Sequence, residues 1–260
     1  MFARLRLPKF VMQRLSAWYC RKFAIDLSEY QVPEEGFRSL DELFTRKVKP
    51  TARKVDKAAD VLVSPVDARV DQMGKITDAT LIQAKGISYS LADLLPSQEY
   101  KHFVGGSFVT LYLSPADYHR IHSPAKGRIT GFFHIPGKLY TVQEFMVSGL
   151  PGLFCINERL VSYITAKTGR IAVCKIGAMN VGRISLSYAN AVTNKFIRKK
   201  QETFFDKQNE VKVNAGDEIA VFHLGSTIIL LLEKGTARFS GIKLGSKVKA
   251  GQTIGRLTGK

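Results

Sequence analysis

Between the apolar runs Glu218–Phe222 and Thr227–Leu232 the chain reads His223-Leu224-Gly225-Ser226. Small residues at such a junction are ordinarily turn formers. The same residues can also cut a chain. A glycine bends without Cβ interference and lets the following hydroxyl approach its own carbonyl. Attack by Ser226 on the Gly225 carbonyl needs a base for the hydroxyl proton and donors for the oxyanion. It also needs packed strands that hold the bond in place.

A base is at hand in Tyr118-His119-Arg120-Ile121-His122-Ser123-Pro124. His119 and His122 share one side of a helical turn but opposite faces of a strand. One histidine is commonly a satisfied structural residue, whereas two around an arginine beside a Ser-Pro turn point to chemistry. Zinc is the other use for such a pair, but no third and fourth ligand stand in pattern, so no metal is expected. Asp67, in Ser64-Pro65-Val66-Asp67, is either an Asx-turn residue or the acid of an Asp–His–Ser relay that orients the imidazole and offsets its charge. Cys20, Cys155 and Cys174 lack paired or ligand spacing and read as reduced thiols.

The elements that must position these residues fall into two regions. Residues 1–60 read as a helical N-terminal region and residues 61–260 as a β-rich domain, so the fold class expected is mainly β (α+β). Val11, Leu15, Trp18 and Tyr19 form one helical face, widened by Met12 and Phe23 and flanked by Arg14 and Arg21. That is the composition of an interfacial membrane helix and equally of a helix packed on its own domain or on a dimer mate. Ser39 caps a short helix, with Glu42 at the capping-box position. Phe44-Thr45-Arg46-Lys47-Val48-Lys49-Pro50, with Arg53 beyond, is a solvated basic loop or an anion-binding edge.

From Val61 onward, strand-length runs alternate with turn residues, as in Ser107–Leu113, Ile171–Ile176 and Thr227–Leu232; Ser90–Leu95 is one short helical piece. Ser64-Pro65-Val66-Asp67-Ala68-Arg69-Val70 echoes Ser123-Pro124-Ala125-Lys126-Gly127-Arg128-Ile129. Turn glycines around short strands at Gly245–Gly255 have the texture of barrel-sandwich domains, without the attachment lysine of a swinging arm. A β-sandwich or barrel-sandwich-like core with duplicated parts is expected.

Apolar residues make up 45% of the 260 and charged residues 23%, an ordinary globular composition that excludes wholesale disorder. The formal net charge of +17 favours an anionic partner. No apolar run approaches the ~20 residues that span a bilayer, and the N-terminus lacks a signal-peptide pattern.

Together, several segments resemble phosphatidylserine decarboxylases of the bacterial type. They are Ser64–Asp67, Tyr118–Pro124, Gly177-Ala178-Met179-Asn180-Val181-Gly182-Arg183-Ile184 and Leu224-Gly225-Ser226-Thr227. Gln83–Ser90, Leu153–Arg159 and Phe44–Pro50 agree as well. The matches run in order from about residue 40 to 230. The resemblance implies a proenzyme. Ser226 attacks the Gly225 carbonyl to give an ester, elimination separates residues 1–225 from a chain 226–260 that begins with dehydroalanine, and hydrolysis releases ammonia and leaves an N-terminal pyruvoyl group, the covalent cofactor. It implies Asp67 and His122 as the relay that activates Ser226, and His119 as an aid to decarboxylation. That reaction converts phosphatidylserine to phosphatidylethanolamine and carbon dioxide. Where the family commonly has glycine after the aspartate, this chain has Ala68, which a positive φ would strain. The glycines of Gly177–Ile184 are turn glycines or allow close backbone approach near the junction.

The expected partners are an anionic phospholipid, a membrane surface and the two cleaved chains for each other. A homodimer is expected, with no nucleic acid. The expected location is peripheral, on the cytoplasmic face of the bacterial inner membrane. A pyruvoyl decarboxylase for a soluble amino acid is the alternative within enzymes; the basic amphipathic N-terminus argues against it. Outside enzymes the alternative is a non-catalytic lipid- or nucleic-acid-binding β protein, which an intact Gly225–Ser226 bond would favour.

Overall fold

The computed structural model describes residues 2–56, 58–84, 86–179, 183–194, 199–223 and 226–258. Among the described residues the N-terminal region holds two α-helices, α1 (Lys9–Phe23) and α2 (Leu40–Phe44); the short helices α3 (Leu91–Leu94), α4 (Glu144–Val147) and α5 (Leu153–Ile156) connect strands. The strands begin with β1 (Val61–Val63), β2 (Ala68–Lys75), β3 (Thr80–Ala84), β4 (Ile87–Ser90), β5 (Ser107–Leu113), β6 (Arg120–His122), β7 (Gly127–Ile135), β8 (Arg159–Ala166) and β9 (Gly169–Ile176). They continue with β10 (Ile184–Leu186), β11 (Gln201–Phe204), β12 (Val211–Val213), β13 (Glu218–Phe222), β14 (Ser226–Leu232), β15 (Ala237–Phe239), β16 (Lys247–Val248) and β17 (Thr253–Leu257). The described chain is therefore mainly β, as the alternation of strand runs and turns predicts.

Nine strands form one sheet in the order β11-β7-β8-β9-β14-β5-β2-β16, with β12 also paired to β7. Two three-stranded sheets, β1-β17-β15 and β10-β13-β6, accompany it, and β3 pairs with β4. Strand β14 lies between β5 and β9, antiparallel to both. Its alternate side chains enter two cores. Ile228, Leu230 and Leu232 join Val109, Leu111 and Val173, whereas Ile229 and Leu231 join Phe108, Ala172 and Cys174. A strand covered on both faces has no polar side, which is why Ile228–Leu232 reads as an unbroken apolar run. Each of these side chains contributes about 1.5–3 kcal/mol by its burial, so β14 is a rigid support for the residue at its head.

The two Ser-Pro segments make matching hydrogen bonds. Ser64 Oγ donates to Val66 O at 2.7 Å, and Ser123 Oγ donates to Ala125 O at 2.8 Å. The segments also bond each other, Val63 N–H to Pro124 O and His122 N–H to Pro65 O, both at 2.8 Å. Their serine carbonyls accept from Gly251 and Gly216 at 2.9 Å each. These glycines have φ of +83° and +87°, and a Cβ on either would meet Val55 within 2.8 Å. Glycine is thus required at both turns for conformation and for space. Ala68 is absent from the positive-φ residues of the described chain. It opens β2 in ordinary extended backbone, so alanine costs nothing there.

α1 follows Pro8, which cannot continue a helix backwards, and ends at Ala24 in the left-handed region. Its apolar face divides in two. Met12 is fully buried, with Leu15 and Tyr19 packed around it against Phe37 and Leu43, and the Tyr19 hydroxyl donates to Pro115 O at 3.1 Å. Phe10 and Trp18 instead stand 63% and 49% exposed. α2 carries the predicted cap, Ser39 Oγ accepting from Glu42 N–H at 3.1 Å. Glu42 reaches back to the N–H of Arg38 at 2.5 Å rather than to that of Ser39.

Candidate active site

Ser226 opens β14 opposite Leu113, the last residue of β5, and Thr227 then pairs with Tyr112 on one side and Ile176 on the other. Leu224 and Gly225 lie outside the described residues, as do Asn180, Val181 and Gly182 of the Gly177–Ile184 segment. Past Leu113 the chain loops into β6, which lies antiparallel to β13, the strand that runs towards the junction. The two predicted histidines sit at opposite ends of this pairing. His119 O accepts from Phe222 N–H at 2.9 Å, whereas His122 stands opposite Glu218. β6 is a strand, so their side chains point to opposite faces, and three residues of strand separate their Cα atoms by about 10 Å. His119 is the one at the junction end.

The His119 ring is fully buried, 3.9 Å between centroids from Phe44. Its Nδ1 donates to Asp117 O at 2.7 Å. Its Nε2 is buried and has no hydrogen-bond partner among the described residues. Burial lowers its pKa to about 3, the Asp117 carbonyl opposing and the Arg46 charge assisting. The imidazole is therefore neutral at physiological pH, with its one lone pair on Nε2. A buried nitrogen without a partner among the described residues is a candidate for chemistry rather than packing.

His122 lies at a cavity of about 180 Å³ shared with Val48, Lys49, Arg53, Val55, Gly216 and Gly251. Nδ1 donates to Gly216 O at 2.8 Å, and Nε2 accepts from the Tyr118 hydroxyl at 3.2 Å, with the two rings stacked. Burial lowers its pKa, against the Gly216 bond and the charges of Glu218 and Asp67. Asp67 thus acts on His122 through its field, while the tautomer is set by the Gly216 carbonyl. The Asp67 carboxylate itself accepts from Arg53, Oδ1 to Nε at 3.0 Å and Oδ2 to Nη2, and from Ala250 N–H at 2.8 Å. Arg53 also donates to Glu29 at 2.9 Å. Burial alone would lower the Arg53 pKa, but the two carboxylates raise it above its ordinary value.

The basic segment divides by exposure. Lys47 and Lys49 are exposed, but Arg46 is 3% exposed. Its guanidinium donates to Leu43 O at 3.2 Å and Ala116 O at 2.7 Å and lies 4.2 Å from the Tyr30 ring centre. It therefore fastens α2 to the loop that carries His119. Asp117 in that loop accepts from Ser114 N–H at 2.6 Å, and burial raises its pKa. Three further groups escape a reading by motif: Tyr118, Asp117 and the His223–Asp41 pair, joined at 2.8 Å. For Tyr118 and Asp117 the signal was adjacency to His119; for Asp41 no sequence signal exists, since it lies far from His223 along the chain. Among the described residues, no cluster of three or more His, Cys, Asp or Glu side chains could hold a metal ion.

Ser226 at the head of β14 and the neutral, buried imidazole of His119, whose carbonyl is bonded to Phe222, are the groups found at the two sides of the junction, and comparison with known proteins gives the class of the chain. The family model "Phosphatidylserine decarboxylase" matches residues 40–256. A phosphatidylserine decarboxylase proenzyme of Brevibacillus brevis is 39% identical over 240 residues, covering 91% of this chain and 85% of the relative. That of Myxococcus xanthus is 38% identical over 260 residues, covering 99% and 92%. That of Hahella chejuensis is 34% identical over 252 residues, covering 95% and 84%. The members of this family are carboxy-lyases. The chain belongs to the phosphatidylserine decarboxylase family.

Proposed function

We propose that this chain is a proenzyme that cuts itself between Gly225 and Ser226 and then decarboxylates phosphatidylserine to phosphatidylethanolamine with a pyruvoyl group made from Ser226. The observation that carries the reading is the open, buried Nε2 of His119, laced through Phe222 to the strand that runs into Ser226. A pyruvoyl ketone joined to the substrate amine supplies an electron sink for the pair released as carbon dioxide leaves. β14 holds that end of the chain through its ladders to β5 and β9. His119, neutral and water-excluded, takes a proton at Nε2 from the substrate and returns it to the carbon that loses the carboxylate.

Self-cleavage is assigned to Ser226 as nucleophile, with His122 as base and Asp67 as the charge that supports it. Nε2 of His122 accepts a hydrogen bond from the Tyr118 hydroxyl in this conformation, so this role requires that hydroxyl to yield. Residues 61–260 form the catalytic domain, a sandwich with duplicated Ser-Pro halves. Residues 1–60 dock on the membrane through the exposed Leu5, Phe10 and Trp18 and the exposed cations Arg14, Arg21 and Lys22. No helix of the described residues is long and apolar enough to cross a membrane, and the location is the cytoplasmic face of the inner membrane. The enzyme works as a homodimer of cleaved chains. Ser226→Ala is expected to remain one chain and to release no carbon dioxide from phosphatidylserine vesicles; activity in that variant would refute the reading.

A further inference from the structure

We infer that His223 is a positioning residue for the self-cleavage junction, clamped from two sides just before the scissile bond; this rests on the assignment of Ser226 as the self-cleaving nucleophile. The His223 ring bridges two distant elements. Nδ1 donates to Asp41 Oδ1 of α2 at 2.8 Å, and in the neutral ring Nε2 accepts from Ser185 Oγ of β10 at 3.0 Å. The ring and the carboxylate are 15% and 16% exposed, so both bonds are largely shielded from water. Asp41 is itself held, with Arg4 Nε 3.4 Å from its other oxygen. The His223 backbone is fixed too, its N–H donating to Arg183 O at 3.0 Å.

Downstream, the ladder of β14 fixes Ser226 against Leu113 and Thr227 against Tyr112 and Ile176. Only Leu224 and Gly225 separate the two anchored points. Serinolysis requires the hydroxyl of one residue to reach the carbonyl of the residue before it, a geometry that an unrestrained turn visits seldom. Anchoring both flanks restricts how His223 and Ser226 can move relative to each other. Loss of such restraint costs on the order of 10²-fold in rate for a displacement near 1 Å. The ring touches no reacting atom in this account. It acts by holding the carbonyl side of the bond while β14 holds the hydroxyl side.

The test is a cleavage time course on newly synthesised full-length chain, read by gel and intact mass. His223→Ala and Asp41→Ala are expected to cleave about 10- to 100-fold more slowly than wild type. His223→Gln, whose amide can still meet both Asp41 and Ser185, is expected to recover most of the rate. Two further readouts separate positioning from general damage. In a Ser226→Ala background, which stays uncut, His223→Ala should melt within about 2 °C of its parent, less than ~1 kcal/mol costs a domain of this size. In the cleaved fraction, turnover per pyruvoyl end should equal wild type. Wild-type cleavage rates in both alanine variants overturn the inference. So does slow cleavage that His223→Gln fails to recover. A wild-type chain that stays uncut removes the self-cleavage assignment itself, and the clamp with it.

Discussion

The burial of His119 has a consequence for acid stability that can be measured without any catalysis. Its pKa falls from 6.5 to about 3 in the folded protein, chiefly through burial. The unfolded chain therefore binds a proton near pH 6.5 that the folded chain refuses until about pH 3, and stability drops as the pH falls through that window. Above pH 6.5 both states are neutral at this site and it contributes no slope. At pH 4.5, two units below the unfolded value, the loss comes to about 2.7 kcal/mol at ~1.36 kcal/mol per unit. The assay is urea unfolding of the uncut Ser226→Ala precursor, alone and with His119→Gln, at pH 7 and pH 4.5. Every other titrating group, His122 included, is common to both proteins and cancels in the difference of slopes. The His119-containing precursor should lose about 2–3 kcal/mol more between the two pH values than the glutamine variant. A difference under ~1 kcal/mol would mean that the ring is open to water or charged when folded, and the proton role given to Nε2 would fall.

Three further predictions follow from other residues. Lys175 is fully buried on β9, donating to Ser162 Oγ at 2.7 Å and Val173 O at 3.1 Å, and burial lowers its pKa to about 7. Lys175→Met should stabilise the uncut precursor by about 2–4 kcal/mol at pH 7 and much less at pH 10, where the unfolded amine is itself losing its proton; equal gains at both pH values would contradict this. Tyr118→Phe removes the hydroxyl held by His122 and should leave self-cleavage as fast as wild type or up to about 10-fold faster, whereas slower cleavage in the time course would show that the hydroxyl helps the base. Trp18 is the single tryptophan, so its emission should shift to the blue when vesicles containing phosphatidylserine are added and remain unchanged with neutral vesicles or in 1 M salt, where the Debye length falls to about 3 Å. No shift with anionic vesicles would refute docking through α1.

Much of the frame was legible because local chemistry wrote it. The run Ile228–Leu232 announces a strand buried on both faces, and Ser39 and Ser90 announce helix starts that the structure shows as caps. The Ser-Pro echo is matched by paired hydrogen bonds, and a fainter echo becomes visible once the two glycine turns are set side by side: Val211-Lys212-Val213-Asn214-Ala215-Gly216-Asp217-Glu218-Ile219 parallels Ser246-Lys247-Val248-Lys249-Ala250-Gly251-Gln252-Thr253-Ile254. A Cβ on either of its glycines, Gly216 or Gly251, would meet Val55. Illegible features were those made by tertiary contact. Arg46 looks like one more surface cation in a basic stretch, yet it is buried against Tyr30 because backbone carbonyls from a distant loop receive it. A periodic face on α1 could not say which of its residues meet the protein, and the structure turns Met12 inward and Trp18 outward. Spacing alone set His119 and His122 on either one face or two; the pairing of β6 with β13 decides for two. The same pairing brings His119, rather than His122, to the junction end.

Intact-mass measurement of the purified wild-type chain bears most directly on the central assignment of Ser226. Two species are expected, residues 1–225 with an ordinary carboxyl end and residues 226–260 whose first residue has become a pyruvoyl group. The smaller species should be blocked to N-terminal sequencing and should gain the mass of one hydrazone on treatment with a hydrazine reagent. A single uncut chain of 260 residues, or a small fragment beginning with an unmodified serine, would contradict it.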